Sequence, residues 1–352
     1  MRTAPTRRAL RPLVAGAAVT LLLAACATGT PEGGSDATSS TAAGDGAFPV
    51  TLENTFGETT IETQPEAVAT VAWGNHDVPL ALGVVPVGMA AQTFGDDDGD
   101  GIHPWTYEAL EELGGTGDAL PELFDETDGI DYEAVANTAP DVVLAAYSGL
   151  SEDDWTTLSE IAPTVSFPEI AWGTNWRDMA LTNGRALGLE DEAQEKIDEV
   201  EQQIEDALGE RPDVAGKSVA YAYLDPTDLS SVGIYTKVDA RVQLLSDLGM
   251  TLPASVEAFE DDGLFYVDLA AEQIDQVADA DIFVTYGDEN LLATLQADPL
   301  LGKLPAIANG AVVVLPDNTP LASATSGPTV LSIPWALDDY LDLLQAAAQN
   351  VK

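Results

Sequence analysis

The sequence has one cysteine, Cys26, and two histidines, His76 and His103. A single cysteine excludes a disulfide framework and a zinc site built from several thiolates. Two imidazoles are too few to build the usual zinc or manganese site of several histidines. We therefore expect no resident metal centre of this kind, and any transition metal that the protein handles should arrive already chelated.

Basic residues are scarce as well. The chain has 13 Lys and Arg against 60 Asp and Glu, which gives a formal net charge of −47. Nucleic acid is excluded as a natural partner because binding a phosphate backbone needs a basic surface. An acidic surface favours solubility in a salty or acidic exterior. Because arginines and lysines are so few, each one is a candidate for a specific role.

The sequence also lacks common hydrolase signatures. It contains no Gly-x-Ser-x-Gly and no His-Glu-x-x-His motif, and a Ser/His/Asp triad would depend on one of the two histidines. We expect no catalytic residues, and a metal-assisted hydrolase is a disfavoured function.

The N-terminus is typical of a signal peptide, predicted over residues 1–25. Four arginines precede an uncharged apolar run from Leu13 to Ala25, which is shorter than the roughly 20 residues that a membrane-spanning helix needs. The run ends in Leu23-Ala-Ala-Cys26 and resembles the lipobox of bacterial lipoproteins, which implies cleavage before Cys26 and attachment of diacylglycerol to its thiol. The alternative is an ordinary signal peptide with an incidental cysteine.

Residues 26–47 are predicted to be the lipidated cysteine and a flexible tether. Gly, Ser, Thr, Ala and Pro dominate this stretch, and it shows no apolar periodicity. A lipid anchor needs such a spacer. Together, Cys26 and the tether predict a protein anchored by lipid to the extracellular face of the cell membrane.

From Phe48 onward, short apolar runs alternate with amphipathic helical segments, a pattern typical of α/β proteins. Runs such as Asp141–Tyr147 and Asp281–Tyr286 are continuous and apolar, as in strands buried on both faces. Between them, Glu190–Leu208 carries an apolar stripe over about 28 Å. We predict two α/β lobes with largely parallel sheets, 48–175 and 213–352, joined by a helical segment, 176–212, that includes one long rigid helix.

Aromatic residues recur where the predicted strands end. Tyr147-Ser-Gly149 and Tyr286-Gly287 each close a strand with an aromatic and a turn, and clefts in α/β sheets open at the carboxyl ends of strands. Such rings can stack on a flat ligand, although packing in the core is the alternative for each one. The aromatic candidates for the cleft are Trp73, Trp105, Tyr147, Trp172, Trp176, Tyr223, Tyr235, Tyr286 and Trp335.

The chain resembles substrate-binding proteins of the ferric-siderophore and cobalamin class, which serve ABC importers. The resemblance implies two lobes, a ligand held between them and only modest closure. It covers about 48–350 and rests on the order and spacing of Leu82-Gly-Val-Val-Pro-Val-Gly88, Gly129-Ile-Asp-Tyr-Glu133, Ala139-Pro-Asp-Val-Val-Leu144, Leu158-Ser-Glu-Ile-Ala-Pro-Thr-Val165, Arg241-Val-Gln-Leu-Leu-Ser-Asp-Leu-Gly249 and Leu331-Ser-Ile-Pro-Trp335.

The resemblance also implies a docking role for one exposed glutamate on each lobe, which pairs with arginines of the membrane permease. The matching positions are Glu133, in Ile130-Asp-Tyr-Glu-Ala-Val, and Glu272, in Val267-Asp-Leu-Ala-Ala-Glu-Gln-Ile. Each could instead be a surface acid or a capping glutamate.

Two arginines are candidates for the ligand cleft. A ferric siderophore is often anionic, and a guanidinium offers a charged fork to carboxylate or phenolate oxygens. Arg177 follows Trp176 at a loop-to-helix junction, and Arg241 opens a predicted helix of the second lobe shortly after Lys237. A surface ion pair with one of the many acids is the alternative.

One acidic loop resembles the start of a calcium-binding loop. Asp96, Asp98 and Asp100 occupy relative positions 1, 3 and 5, and Gly101 occupies position 6. Position 12 is Tyr107, so the bidentate acid that usually closes such a loop is displaced by one residue. A structural calcium ion and a solvated turn remain alternatives.

These observations favour a monomeric, lipid-anchored binding protein that captures a ferric siderophore and delivers it to an ABC permease. Cobalamin or haem remains an alternative ligand. An adhesion or signalling lipoprotein on the same fold remains an alternative function.

Overall fold

The computed structural model describes residues 48–259 and 264–352. The predicted signal peptide, the lipidated Cys26 and the tether lie outside the described residues. Within those two ranges, no helix combines the length and apolar character needed to cross a membrane.

The N-terminal lobe is built on five short parallel strands. Its central strands are completely buried, because each is an uninterrupted apolar run covered on both faces. An antiparallel hairpin of β1 (Val50–Asn54) and β2 (Gly57–Ile61) precedes them. The strands are β3 (Val68–Thr70), β4 (Gly88–Ala90), β5 (Glu122–Phe124), β6 (Val142–Ala145) and β7 (Thr164–Ser166), in the order β5-β4-β3-β6-β7 across the sheet.

Short helices connect these strands. Ser151 begins one of them with a capping box, in which its side chain and that of Asp154 each accept a hydrogen bond from the other residue's backbone N–H. The helices are α1 (Asp77–Ala81), α2 (Pro104–Leu113), α3 (Tyr132–Asn137) and α4 (Glu152–Ser159).

Two helices lead from the first lobe to the second. They are α5 (Trp176–Ala186) and the 20-residue α6 (Glu190–Gly209). On α6 the buried positions recur every three or four residues, which is the amphipathic stripe expected from the sequence. That stripe consists of Ala193, Ile197, Val200 and Ile204.

The sheet of the second lobe is mixed. β8 (Val219–Asp225) pairs with β9 (Asp228–Tyr235) in an antiparallel hairpin, and β10 (Tyr266–Ala270) extends it antiparallel to β9. On the other side of β8 the pairing is parallel, through β11 (Ile282–Gly287) to β12 (Val312–Pro316). The prediction of two α/β lobes is confirmed, and the two antiparallel pairings are the difference from a largely parallel sheet.

The helices of the second lobe include the one that ties the molecule together. This last helix packs against α6, β12 and α2, so it contacts both lobes. A single apolar cluster accordingly runs from α5 and α6 to the second sheet. The helices are α7 (Ala240–Asp247), α8 (Ala254–Glu257), α9 (Leu291–Ala297), α10 (Pro305–Asn309), α11 (Pro320–Ser326) and α12 (Ser332–Ala348).

Candidate ligand-binding cleft

Asn75 organises the aromatic side of the first lobe. Its Nδ2 donates to the carbonyls of Val71 and Tyr147, each at 2.9 Å, and its Oδ1 accepts from the Tyr147 backbone N–H at 3.1 Å. Asn183 on α5 donates to the same Oδ1. The buried amide therefore fixes the chain leaving β3 to the chain leaving β6, and sets the positions of Trp73 and Tyr147.

Four rings form the aromatic surface of the first lobe. Trp73 is 42% exposed and stacks on Phe94 with a centroid distance of 6.3 Å. On its other side Trp73 lies 5.9 Å from Trp172, whose ring makes an edge contact with Tyr147 at 5.4 Å. The partly exposed indole of Trp73 gives the cleft a flat apolar face of the kind that stacks on a ligand.

Gly149 allows the Trp172 ring to lie directly on the backbone. A Cβ atom at residue 149 would come within 2.2 Å of Trp172 Nε1, closer than any real contact. Trp172 itself has a φ of 60°, a conformation that costs a non-glycine residue energy, and its backbone N–H donates to Ser148. The Tyr147-Ser-Gly149 turn thus places a tryptophan as well as a tyrosine.

The second lobe contributes a charged group surrounded by tyrosines. Arg241, with a side chain only 15% exposed, donates from Nη1 to Asp239 at 2.7 Å and from Nε to the Tyr286 hydroxyl at 2.8 Å. The guanidinium carbon lies 4.5 Å from the centroid of Tyr235. No described residue accepts a hydrogen bond from Nη2, which leaves one terminal nitrogen for a ligand.

Electrostatics keep this guanidinium charged. Burial disfavours the cation, but Tyr286, Asp239 and Tyr235 outweigh it and hold the pKa of Arg241 well above its usual value. Burial raises the pKa of Tyr235 to about 12 despite the neighbouring Arg241. Burial, followed by the charge of Asp239, also raises the pKa of Tyr147. Tyr147 of the first lobe therefore lies within electrostatic reach of the charged pair on the second.

A continuous series of aromatic contacts crosses from one lobe to the other. Phe94 makes an edge contact with Tyr286 at 6.3 Å, and Tyr286 continues to Tyr221 at 5.6 Å. Tyr221 in turn contacts Tyr235 at 5.5 Å. The structure therefore brings together six of the predicted ligand residues: Trp73, Tyr147, Trp172, Tyr235, Arg241 and Tyr286.

A cavity of about 300 Å³ opens beside the exposed Trp73 and the half-buried Trp172. Glu126 lies in its wall. One carboxylate oxygen, Oε2, accepts from the backbone N–H of Ala72 at 3.0 Å, whereas Oε1 is buried and has no partner. Burial raises the pKa of Glu126 to about 7, against the lowering effect of the Ala72 bond.

Hydrogen bonds next to the cleft connect the two lobes. Asp77 accepts hydrogen bonds from Trp105 and Thr106 of the first lobe and from Thr329 near α12 of the second, at 2.6 to 2.8 Å. His103 Nε2 lies 3.0 Å from Ser323 Oγ on α11 and 2.9 Å from the Phe94 carbonyl. Burial lowers the pKa of His103, so this contact is made by a neutral imidazole near pH 7.

Trp105 and Trp335 belong to this inter-lobe contact more than to the cleft. Trp105 is 5% exposed, and its ring lies 4.3 Å from His103 and 5.3 Å from Trp335. Its Nε1 is already bonded to Asp77. Trp105 nevertheless lines a small cavity together with Trp73 and Phe94, and Trp335 is only partly buried, so a ligand contact by these two tryptophans stays a prediction.

Trp176 and Arg177 also lie elsewhere. Trp176 is 1% exposed and donates to Asp247 on α7 at 2.8 Å. Arg177 pairs with Glu201 at 2.6 Å and Asp247 at 2.8 Å, and its guanidinium covers the Trp176 ring. The structure corrects the sequence prediction here, because these side chains form an ion-paired contact between α5, α6 and α7.

Tyr223 is 60% exposed on β8, on the same face of the strand as Tyr221. Its hydroxyl is close enough to raise the pKa of Tyr235. Tyr223 consequently stands at the outer end of the tyrosine cluster, where a large ligand could reach it.

The two glutamates matched to permease docking lie on different lobes. Glu133 is exposed in the first turn of α3, which Asp131 caps by accepting from the Ala134 N–H. Glu272 is exposed in a 3-10 helix, Ala271–Val277, that follows β10. Neither carboxylate pairs with a cation among the described residues.

The acidic loop brings Asp96, Asp98 and Asp100 together, with one oxygen of each within 4.8 Å of the others. The carboxylates also accept hydrogen bonds from their own loop: Gly99 and Gly101 donate to Asp96, and Ile102 donates to Asp100. These hydrogen bonds within the loop stabilise it as a turn, and calcium binding stays a prediction.

Sequence reasoning missed Phe94, Asn75, Glu126 and Asp239. Asn75, Glu126 and Asp239 are polar residues whose role depends on buried backbone groups or on a neighbouring charge. The pattern Trp73-Gly-Asn75 at the end of β3 and Asp239-Ala-Arg241 at the start of α7 carried the only local signals.

Residues 68–319 match the periplasmic binding protein family. The chain belongs to this family. The relatives found are substrate-binding proteins of transport systems, not enzymes, which confirms the expectation that the chain is not an enzyme.

Three relatives illustrate the match. PiaA from Streptococcus pneumoniae TIGR4, solved in complex with ferrichrome, is 44% identical, with a TM-score of 0.82 over 86% of this chain and 99% of PiaA. The ferric enterobactin-binding periplasmic protein FepB of Escherichia coli O6:H1 is 26% identical over 77% of this chain and 85% of FepB. Staphylococcus aureus SirA complexed with staphyloferrin B, at 20% identity, shares the fold over 86% of this chain and 99% of SirA, with a TM-score of 0.63.

Proposed function

We propose that this protein captures a ferric siderophore of the hydroxamate class between its lobes and hands it to an ABC importer. The observation that carries the proposal is the aromatic cleft around Arg241. Ring faces from both lobes can cover an apolar chelate, and the free Nη2 of Arg241 can donate to the oxygens that surround the iron.

The hydroxamate class is favoured by one relative. PiaA, at 44% identity over 99% of its length, was solved with ferrichrome, a ferric trihydroxamate. The scarcity of basic residues also favours the hydroxamate class. A single arginine suits a chelate of low net charge, whereas a strongly acidic protein would repel a highly anionic catecholate complex.

A fluorescence titration tests the ligand. Ferrichrome should quench the tryptophan fluorescence of the mature protein at sub-micromolar concentration, because Trp73 is exposed in the cleft. Iron-free ferrichrome is the control for the metal, and ferric enterobactin, cobalamin and haemin represent other ligand classes in separate titrations. Saturable quenching by cobalamin or haemin alone would contradict the proposal, as would no response to any ferric chelate.

Permease docking through Glu133 and Glu272 is part of the proposal. Both carboxylates are exposed, on different lobes, without a protein partner in the described part of the chain. The double variant Glu133→Ala/Glu272→Ala should abolish ferrichrome uptake by cells yet bind ferrichrome as tightly as the wild type. The exposed pair Glu111→Ala/Glu205→Ala is the matched control and should leave uptake intact. Loss of binding in the docking variant would contradict the assignment.

Lipid attachment at Cys26 completes the proposal. An anchored protein stays near the permease at high effective concentration, and the tether over residues 26–47 lets it reorient for docking. Cys26→Ser should move the protein from the membrane fraction to the medium. Retention of the variant in the membrane would show that another feature holds it there.

A further inference from the structure

The cavity beside Trp73 and Trp172 differs chemically from the rest of the cleft. Besides these two rings, its walls carry the carboxyl groups of Glu126 and Asp154, and no Lys or Arg is among the residues that line it. Aromatic faces next to carboxylates are the combination that attracts organic cations, through the ring quadrupole and through charge-assisted hydrogen bonds.

Glu126 is the unsatisfied member of this group. Its Oε2 is bonded to the backbone of Ala72, but its buried Oε1 has no hydrogen-bond partner. A buried carboxylate oxygen without a donor costs free energy, so such groups in native proteins call for an explanation. Ala72 has a φ of 61°, and its bond to Glu126 holds the carboxyl group beside Trp73.

Asp154 supplies a fixed negative charge to the same cavity. Burial opposes its ionisation, but hydrogen bonds from the hydroxyl of Tyr132 and from Ser151 lower the pKa of Asp154 below its ordinary value. Both of its oxygens already accept hydrogen bonds. A ligand would therefore interact with Asp154 through its charge and form its hydrogen bond with Glu126.

We propose that this cavity is a cation subsite, in which the Glu126 carboxyl group shifts on binding so that Oε1, which the protein covers in this structure, accepts a hydrogen bond from an ammonium group on the periphery of the bound chelate. Trp73 and Trp172 flank the ammonium and Asp154 adds charge. This inference rests on the proposed function, because it assigns a substituent of the siderophore held in the same cleft. It makes Glu126 a residue that determines specificity.

A matched pair of ligands tests the subsite. Ferrioxamine B is a ferric trihydroxamate with one free primary amine, and its N-acetylated form has the same iron centre without the charge. Isothermal titration at pH 8 should show that the wild-type protein binds the ammonium form about tenfold more tightly, the effect of one hydrogen bond to a charged group. Equal affinity for the two forms would overturn the subsite.

Glu126→Gln is the matched variant, because it preserves the side-chain volume and the oxygen that accepts from Ala72. It should abolish the tenfold preference, while the exposed control Glu122→Gln keeps it. Persistence of the preference in Glu126→Gln would also overturn the assignment.

The wild-type protein offers a test that needs no variant. Glu126 has a pKa of about 7, whereas Asp154 stays ionised and an alkylammonium stays charged across this range. The preference for the ammonium form should therefore shrink when the titration is repeated at pH 5.5, and a constant preference would contradict the proposal. Tight but equal binding of both chelates overturns the subsite alone, whereas no binding of either form or of ferrichrome overturns the proposed function with it.

Discussion

The two walls of the cleft treat their charged groups in opposite ways. On the second lobe, Arg241 is bonded to Asp239 and Tyr286 and covered by Tyr235, so the cation is stabilised before any ligand arrives. On the first lobe, the carboxyl group of Glu126 has one bonded oxygen and one without a partner. The first arrangement orients a donor for the chelate, whereas the second leaves an acceptor without a donor among the described residues.

The two walls are expected to contribute differently to binding, one to affinity and the other to the choice of ligand. A preorganised donor lowers the cost of ordering the site, and so should contribute affinity for every chelate of the right size. An acceptor that remains unsatisfied discriminates, because a ligand without the matching donor leaves it buried and unpaired. We expect substitutions on the second-lobe wall to change affinity generally, and substitutions at Glu126 to change preference and pH dependence.

The largest effect should come from Arg241→Gln. Losing the guanidinium removes the charged donor and leaves Asp239 buried beside it, so ferrichrome affinity should fall by about 100-fold or more. Arg177→Gln is a matched control, since Arg177 also pairs with aspartate and covers an aromatic ring, but outside the cleft. Arg177→Gln should lower the melting temperature and keep ferrichrome affinity within about twofold. Equal losses of binding in both variants would remove the distinction between the two arginines.

A smaller effect is expected from the first-lobe rings. Trp73→Leu removes a 42% exposed indole, so it should weaken ferrichrome binding about tenfold and reduce the amplitude of fluorescence quenching. Trp335→Leu serves as the control because Trp335 packs on Trp105 at the inter-lobe contact. Both quantities are read from one titration for each variant, and a greater loss of affinity in Trp335→Leu would place the ligand elsewhere.

A third effect concerns the protein without ligand and is measured as the free energy of unfolding. The pKa of Glu126 rises from the ordinary 4.5 to about 7 on folding, so the folded state binds the extra proton between these pH values. The contribution of this proton binding to the free energy of unfolding is fully present below pH 4.5 and is lost as the pH rises through 7. Glu126→Gln, which does not titrate, should therefore gain about 2 kcal/mol relative to wild type between pH 5 and pH 8 in urea unfolding. A pH-independent difference would contradict the buried, unsatisfied carboxyl group.

The sequence was sufficient for the architecture because that architecture follows from apolar patterning. β6 and β11 are continuous apolar runs, and the stripe on α6 has helical periodicity, so each was predictable to within a few residues. β9 was not recognised, since its first half is polar and exposed and only its last four residues are buried. Strand direction in the second lobe could not be predicted without it.

Residues beside the cleft could be predicted from the sequence where their place at the end of a strand determines their location. Tyr147 lies just after β6 and Tyr286 lies at the end of β11, so both rings are placed beside the cleft, and their contact with ligand stays a prediction. Arg177 does not lie beside them, and its location could not be predicted, because the rarity of cations cannot distinguish an ion pair between helices from a ligand contact. Glu126 was missed since it is one acid among 60, and its role depends on burial beside Ala72, which linear order does not reveal.

The central claim is that one ligand contacts both walls of this cleft, and a crystal structure of the protein with ferrichrome tests it most directly. The account predicts that Arg241 Nη2 lies within hydrogen-bond distance of a hydroxamate oxygen, and that the chelate packs against Trp73 and Trp172 on the opposite wall. Ferrichrome bound outside the space between Trp73 and Arg241, or Arg241 bonded only to Asp239 and Tyr286 in the complex, would contradict it.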